Sequence, residues 1–499
     1  KSLISKIFFI FIKYKIMERV LPSNVDYTKI LPLAVESRSR RRSFFPTNGQ
    51  SFTSNGNNII RIDISASAFL DPKHSYLRFR YRNQTAQTCG FDFGGGHNFI
   101  RRLRIEQAGN VLTDVNHYNR LMAGVILPCQ GGVDSVAHRS ITEGQRYANA
   151  RANGTSSAPT LAADMSGAVV NTPANSSEVV ANLAGNGQYT FSIPLMNGLI
   201  GTTQDKMVPL QMLGSSPLTI EIELADGLDI GAYGGAVAAP TYQVEDVRYI
   251  AQLVEVGPEV DAQLRTVQEV SGGKLVLNGV DYTHFNGNIP AGATGNQTIN
   301  VPARRKSLKS LFFVGASQQF TASGAGPAGE HALSFNLSYG GTMTLIDYQI
   351  KIGSVVYPPT PVDCQFQGAN GASSFNRGEA FSELSKCFGS VSSAHGTGSL
   401  STLNYALNQG NVATIPQDPG AGAPVVSYQF APFAMDLESF QRTALESGVN
   451  TSDRSLPISL ILNIGGGAAA GNQQFNIDAY VAFDSLYFID EIGNIRVSM

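Results

Sequence analysis

Apolar and polar residues alternate along much of the chain. Ile60, Ile62 and Ile64 alternate with Arg61, Asp63 and Ser65, and Leu77, Phe79 and Tyr81 with Arg78, Arg80 and Arg82. Leu218, Ile220, Ile222 and Leu224 alternate with Thr219, Glu221 and Glu223. The same period recurs through Leu333-Phe335-Leu337-Tyr339 and Ile458-Leu460-Leu462-Ile464. A period of two puts one set of side chains on each face, which predicts half-buried antiparallel strands. Helical spacing is rare. It predicts helices over Asp114 to Ile126, over Glu379 to Cys387, and over Pro258 to Val270. The last has proline near its start and Ser271-Gly272-Gly273 as its stop.

The segments also repeat in order. LRIEQAGNV (103–111), YTF (189–191), SPLTIEI (216–222) and YQVEDV (242–247) are followed in the second half by YQIKIGSV (348–355), YQF (428–430), LPISLIL (456–462) and FNIDAY (475–480). Each half opens on a strand pair, IIRIDI then YLRFRYR against TINV then LKSLFFV. One such match is weak, but the shared order predicts two copies of one β-domain. With 499 residues, two domains is also the expectation from size. The boundaries follow: an N-terminal arm over 1–50, a first domain over 51–257, a connector helix over 258–273 and a second domain over 274–499. Long Ala/Ser/Asn/Gly-rich loops interrupt the domains at 129–187 and 365–426. Loops of that length are usually functional surfaces, with disordered linkers as the alternative.

Composition narrows the picture. Fifty-one glycines and 23 prolines favour turns, and tryptophan is absent. A net charge of −2 argues against a chain held to phosphates over its whole surface. Cys89, Cys129, Cys364 and Cys387 lie far apart, so free thiols are expected rather than a disulfide or zinc framework. The first 16 residues, KSLISKIFFIFIKYKI, differ from all that follows. Their apolar stretch is too short to span a bilayer, and they are expected to be upstream sequence with Met17 as the natural start.

Chemical motifs are scarce. Gly324-x-Gly326-x-x-Gly329 matches a dinucleotide fingerprint on paper, but Pro327 interrupts it and a strand pattern follows where a helix is needed. His74, His97, His117, His138, His284, His331 and His395 are isolated, so no metal site and no cofactor are expected. No nucleophile elbow or P-loop occurs. Glu221 and Glu223 share a strand face and are expected to face solvent rather than act as an acid/base pair. Arg38, Arg40, Arg41 and Arg42 cluster in SRSRRRS at the N-terminal arm. They suit phosphates or acidic partner surfaces; a solvated arm that aids solubility is the alternative, and the residues leave both open.

In five places the chain resembles the double jelly-roll major capsid proteins of eukaryotic DNA viruses: polinton-like viruses, virophages and nucleocytoplasmic large DNA viruses. These are IIRIDISASAFLDPKHSYLRFRYRN (59–83), FIRRLRIEQAGNVL (99–112), YTFSIPLMNGLIG (189–201), MVPLQML (207–213) and SGVNTSDRSLPISLILN (447–463). The resemblance implies an all-β protein of two consecutive eight-stranded antiparallel jelly rolls, with few short helices. It implies a structural protein rather than an enzyme, located in the virion. There, trimers form pseudo-hexagonal capsomers that tile an icosahedral shell around a DNA genome. Penton and minor capsid proteins would be partners. The arm with Arg38, Arg40, Arg41 and Arg42 would face the interior, toward an internal membrane or the genome. Arg78, Arg80 and Arg82 would be available for pairing between subunits, and their reversal to Glu is expected to impair assembly more than folding. Two rivals remain: a carbohydrate-binding or adhesive β-sandwich at a surface, and a β-sandwich hydrolase or lyase.

Overall fold

The structure is a computed structural model that describes residues 36–85, 94–130, 187–202, 206–230, 240–317, 343–364, 378–388, 432–439, 447–453, 456–466 and 474–498, with short pieces at 89–90, 142–143, 232–233, 366–367 and 374–375. The segment 1–16, most of both long loops, the Gly324 motif and the Leu333–Tyr339 pattern lie outside the described residues.

Among the described residues twelve strands precede the connector: β1 (Ser37–Phe44), β2 (Ser51–Thr53), β3 (Ile59–Ile64), β4 (Phe69–Asn83), β5 (Cys89–Gly90), β6 (Ile100–Gln107), β7 (Asn110–Asn116), β8 (Gln188–Ile193), β9 (Val208–Pro209), β10 (Leu218–Leu224), β11 (Ala232–Tyr233) and β12 (Tyr242–Val256). One sheet runs β1-β12-β4-β8, with β2 on β12 and β9 on β4; the other runs β3-β10-β6-β7. The connector helix spans Pro258–Val270, with Gly272 and Gly273 at positive φ just after it. Among the described residues eleven strands follow: β13 (Lys274–Ile289), β14 (Gly295–Asn300), β15 (Leu308–Ser317), β16 (Met343–Ile352), β17 (Val355–Asp363), β18 (Phe366–Gln367), β19 (Ser374–Phe375), β20 (Phe433–Asp436), β21 (Ile458–Gly466), β22 (Phe475–Asp490) and β23 (Ile495–Ser498). Their sheets run β13-β22-β15-β20, with β23 on β22, and β14-β21-β16-β17.

Counting the major strands of each half in chain order, both halves give one sheet ordered first-eighth-third-sixth and another ordered second-seventh-fourth-fifth. That is a jelly roll, made twice. The repeated segments that fall in described residues occupy equivalent strands: LRIEQAGNV and YQIKIGSV form the fourth strand and its turn, SPLTIEI and LPISLIL the seventh, YQVEDV and FNIDAY the eighth.

The alternating residues close each roll. Ile60, Ile62, Leu77, Phe79, Tyr81, Leu218 and Ile220 are at most 2% exposed. In the second roll Phe313 of β15 meets Tyr348 of β16 edge-on, ring centroids 5.1 Å apart, joining the two sheets. Polar positions between them face outward and pair across strands. Arg61 bonds Glu106, Arg104 lies 3.2 Å from Glu106 and 3.6 Å from Glu221, and Arg101 lies 3.5 Å from Glu223. Glu221 and Glu223 therefore belong to a surface lattice of ion pairs.

Two expectations change. The helix expected from Asp114 starts only at Tyr118, because β7 continues to Asn116 and His117 adopts the left-handed conformation, φ 49°, between strand and helix. The Arg38–Arg42 cluster is not in a free arm. It lies in β1, hydrogen-bonded along its length to β12 from Ser37↔Val256 to Phe44↔Tyr249. The extended backbone of β12 offers that strand a ladder that a solvated arm would forgo.

Candidate functional site at the seam between the rolls

The arginines singled out above are engaged within the chain. Arg40 lies 2.7 Å from Glu255, Arg42 donates to the Ser65 carbonyl, and the guanidinium of Arg41 stands over the Tyr76 ring. Arg38 is exposed on the same strand. Arg78 bonds Asp246, whereas Arg80 and Arg82 lie 2.9 and 3.9 Å from Glu245. A bulge in β12 between Glu245 and Arg248, with Asp246 at φ 52°, aims that carboxylate at Arg78 and Arg248. Within one chain these charges pair across neighbouring strands.

Three clusters of buried polar groups lie where the rolls meet. At the first, Gln107 at the end of β6 donates to the Gly493 carbonyl (3.1 Å) and accepts from the Ile495 amide (3.0 Å). Gly493 has φ 88°, and a Cβ there would stand 2.1 Å from the Gly214 nitrogen, so only glycine fits.

At the second, Asp281 of β13 accepts from Tyr487 (2.6 Å) and Ser485 (3.1 Å) of β22. Thr113 of β7 and Gly198 approach it from the first roll; a Cβ on Gly198 would lie 2.6 Å from Asp281 Oδ1. Thr202 donates to the Val280 carbonyl beside it (2.8 Å). Burial pushes the Asp281 carboxyl up to about 6, against the opposing effect of the Tyr487, Thr113 and Ser485 hydrogen bonds.

At the third, Arg120 from the helix after β7 reaches into the second roll, Nη1 lying 2.8 Å from Asp478 Oδ2. Asp478 Oδ1 accepts from His284 Nε2 of β13 (2.7 Å). The Tyr480 hydroxyl donates to the His117 carbonyl (2.8 Å), and the His117 and His284 rings lie 4.8 Å apart. Burial alone would raise the Asp478 carboxyl, but the Arg120 charge and the His284 hydrogen bond hold it well below the usual carboxylate range. Burial, then the Arg120 charge, lowers His117 to about 4. The isolated histidines of the sequence are therefore not all isolated in space: His117, His284 and Asp478 converge. Their signal in the sequence is faint, an aspartate in FNIDAY within a largely apolar strand.

This arrangement ties the two rolls together through side chains contributed by both. Among the described residues no helix is long and apolar enough to cross a membrane.

No protein-family model matches the sequence, and no curated protein does. Solved structures do match the fold. The Faustovirus major capsid protein aligns with a TM-score of 0.55 at 10% identity, covering 94% of this chain and 92% of its own. The PBCV-1 virus capsid subunit gives 0.52 at 10% identity, covering 95% and 99%. The Sputnik virophage structure gives 0.51 at 10% identity, covering 96% and 92%. The class is therefore the double jelly roll. Within it, the chain shares its whole two-roll plan with capsid subunits of these viruses.

Proposed function

We propose that the chain is a viral major capsid protein, a structural protein of the virion rather than an enzyme. The observation that carries the reading is the pair of rolls with the same strand order, together with the fold likeness to the Faustovirus and PBCV-1 capsid proteins over most of the chain. Three such chains place six similar rolls around one axis, which is the geometry of a pseudo-hexagonal capsomer able to tile an icosahedral shell around a DNA genome. The seam supports this role, because a tile must keep its two rolls in fixed relation. A net charge of −2 limits repulsion among closely packed copies. In this reading 51–257 and 274–499 are the two roll domains, with β1 extending the first back to Ser37, and 258–273 the connector. The exposed arginines of β1 face the shell interior, toward minor capsid proteins, an inner membrane or the genome. Penton proteins fill the vertices.

Light scattering with negative-stain imaging of the full chain tests it. The expected result is a particle of about three chain masses with a hexagonal outline. A stable monomer without such particles overturns the reading, and binding on a glycan array would then favour the adhesive β-sandwich.

A further inference from the structure

We propose that His117, His284 and Asp478 form a binding site for a divalent transition-metal ion, zinc foremost, which bridges the two rolls. The inference goes beyond the capsid reading and does not depend on it. One ligand atom from each residue lies within 4.8 Å of the other two. Two imidazoles and one carboxylate are the donor set of three-ligand zinc sites that keep a fourth position for water; calcium and magnesium prefer all-oxygen sets.

Several independent features converge on the same point. His117 Nδ1 is buried without a hydrogen-bond partner. His117 also holds a left-handed backbone, φ 49°, costly for a residue other than glycine. Its carbonyl is fixed there by the Tyr480 hydroxyl and by the Arg120 and Leu121 amides. An open cleft of about 610 Å³ reaches both rings, bordered by Arg101, Asn116, Glu223 and Asn286. It gives an ion a path from solvent and gives the fourth ligand room. Arg120 clamps Asp478 Oδ2 and leaves Oδ1 directed at His284, so the guanidinium fixes the orientation of the carboxylate.

The rearrangement needed is small. Zinc bonds of about 2.0–2.1 Å put tetrahedral ligands roughly 3.3 Å apart. His117 would therefore swing inward by somewhat over an ångström, and the pair of His284 and Asp478, now 2.7 Å apart, would open slightly. His284 would carry its ring proton on Nδ1 instead of Nε2, freeing the Nε2 lone pair. Arg120 and Arg101 add positive charge nearby, and Asp229 and Glu223 offset it.

The test uses the full chain, stripped with a chelator and titrated with cobalt(II). Tetrahedral cobalt gives visible d–d bands that the hydrated ion lacks, and zinc should erase them by competition. Zinc should also raise the thermal midpoint by about 2 °C at hundredfold excess over Kd, whereas calcium should not. His117→Asn tolerates the left-handed backbone, and His284→Gln keeps a donor toward Asp478. Both should fold, by far-UV circular dichroism, and both should lose the bands and the zinc shift. Absence of bands in the unaltered protein overturns the proposal. So does their survival in both folded variants, which would put the ion elsewhere.

Discussion

At the residue scale, the seam contains two buried acids with opposite pH signatures. Asp281 is raised to about 6 from an ordinary value near 4, so the folded state holds its proton more tightly than the unfolded chain. Its contribution is full below about pH 4 and is lost as pH rises through 6, an effect on the order of 3 kcal/mol. Asp478 is depressed, so its contribution is present at neutral pH and lost as acid protonates it. Asp281→Asn should therefore be more stable than the unaltered protein at pH 7 and lose that advantage near pH 4, read by chemical denaturation at both values. Arg120→Ala should cost about 3–5 kcal/mol at pH 7, because it strands the Asp478 charge in a site where that side chain is only 3% exposed. Gly198→Ala should cost about 2 kcal/mol or more in the same assay. Its φ is 50°, and the new Cβ would stand 2.5 Å from the Tyr487 hydroxyl oxygen.

At the element scale, β1 is an edge strand among the described residues and pairs with β12. Four arginines among eight residues make that edge a poor template for further strands. Replacing Arg38, Arg40, Arg41 and Arg42 with Thr keeps β propensity and removes the charge. The variant should show a raised aggregated fraction by light scattering, with little change in circular dichroism. The Arg78, Arg80 and Arg82 row belongs to the same scale. Reversal to Glu would place three carboxylates beside Glu245 and Asp246, so folding should suffer as well as any assembly. Lowered midpoints in urea would show it.

The strands, their faces and the connector helix were legible in the sequence because burial on one face leaves a period of two or of 3.6. Ile60-Ile62-Ile64 and Pro258–Val270 lie where their periodicity puts them. The seam was not legible. Asp478 and His284 are 194 positions apart, and His117 comes from the other roll. No local pattern records a meeting that arises only when two finished domains dock. The π-helical stretch Met122–Ile126 was equally silent, since its apolar spacing reads as ordinary helix.

At the scale of the whole molecule, the two rolls act as one body because side chains from each complete the hydrogen bonding of the other. Gln107 carries a consequence for how the molecule is made. Its partner carbonyl on Gly493 lies 386 positions downstream. A chain leaving the ribosome in order exposes Gln107 long before residues 493–495 exist. The first roll can thus fold early but stays unlatched until the hairpin of β22 and β23 emerges. A copy cut short between the end of β12 and that hairpin would keep a complete first roll yet carry an open clasp. Synthesis itself would then sort whole subunits from fragments.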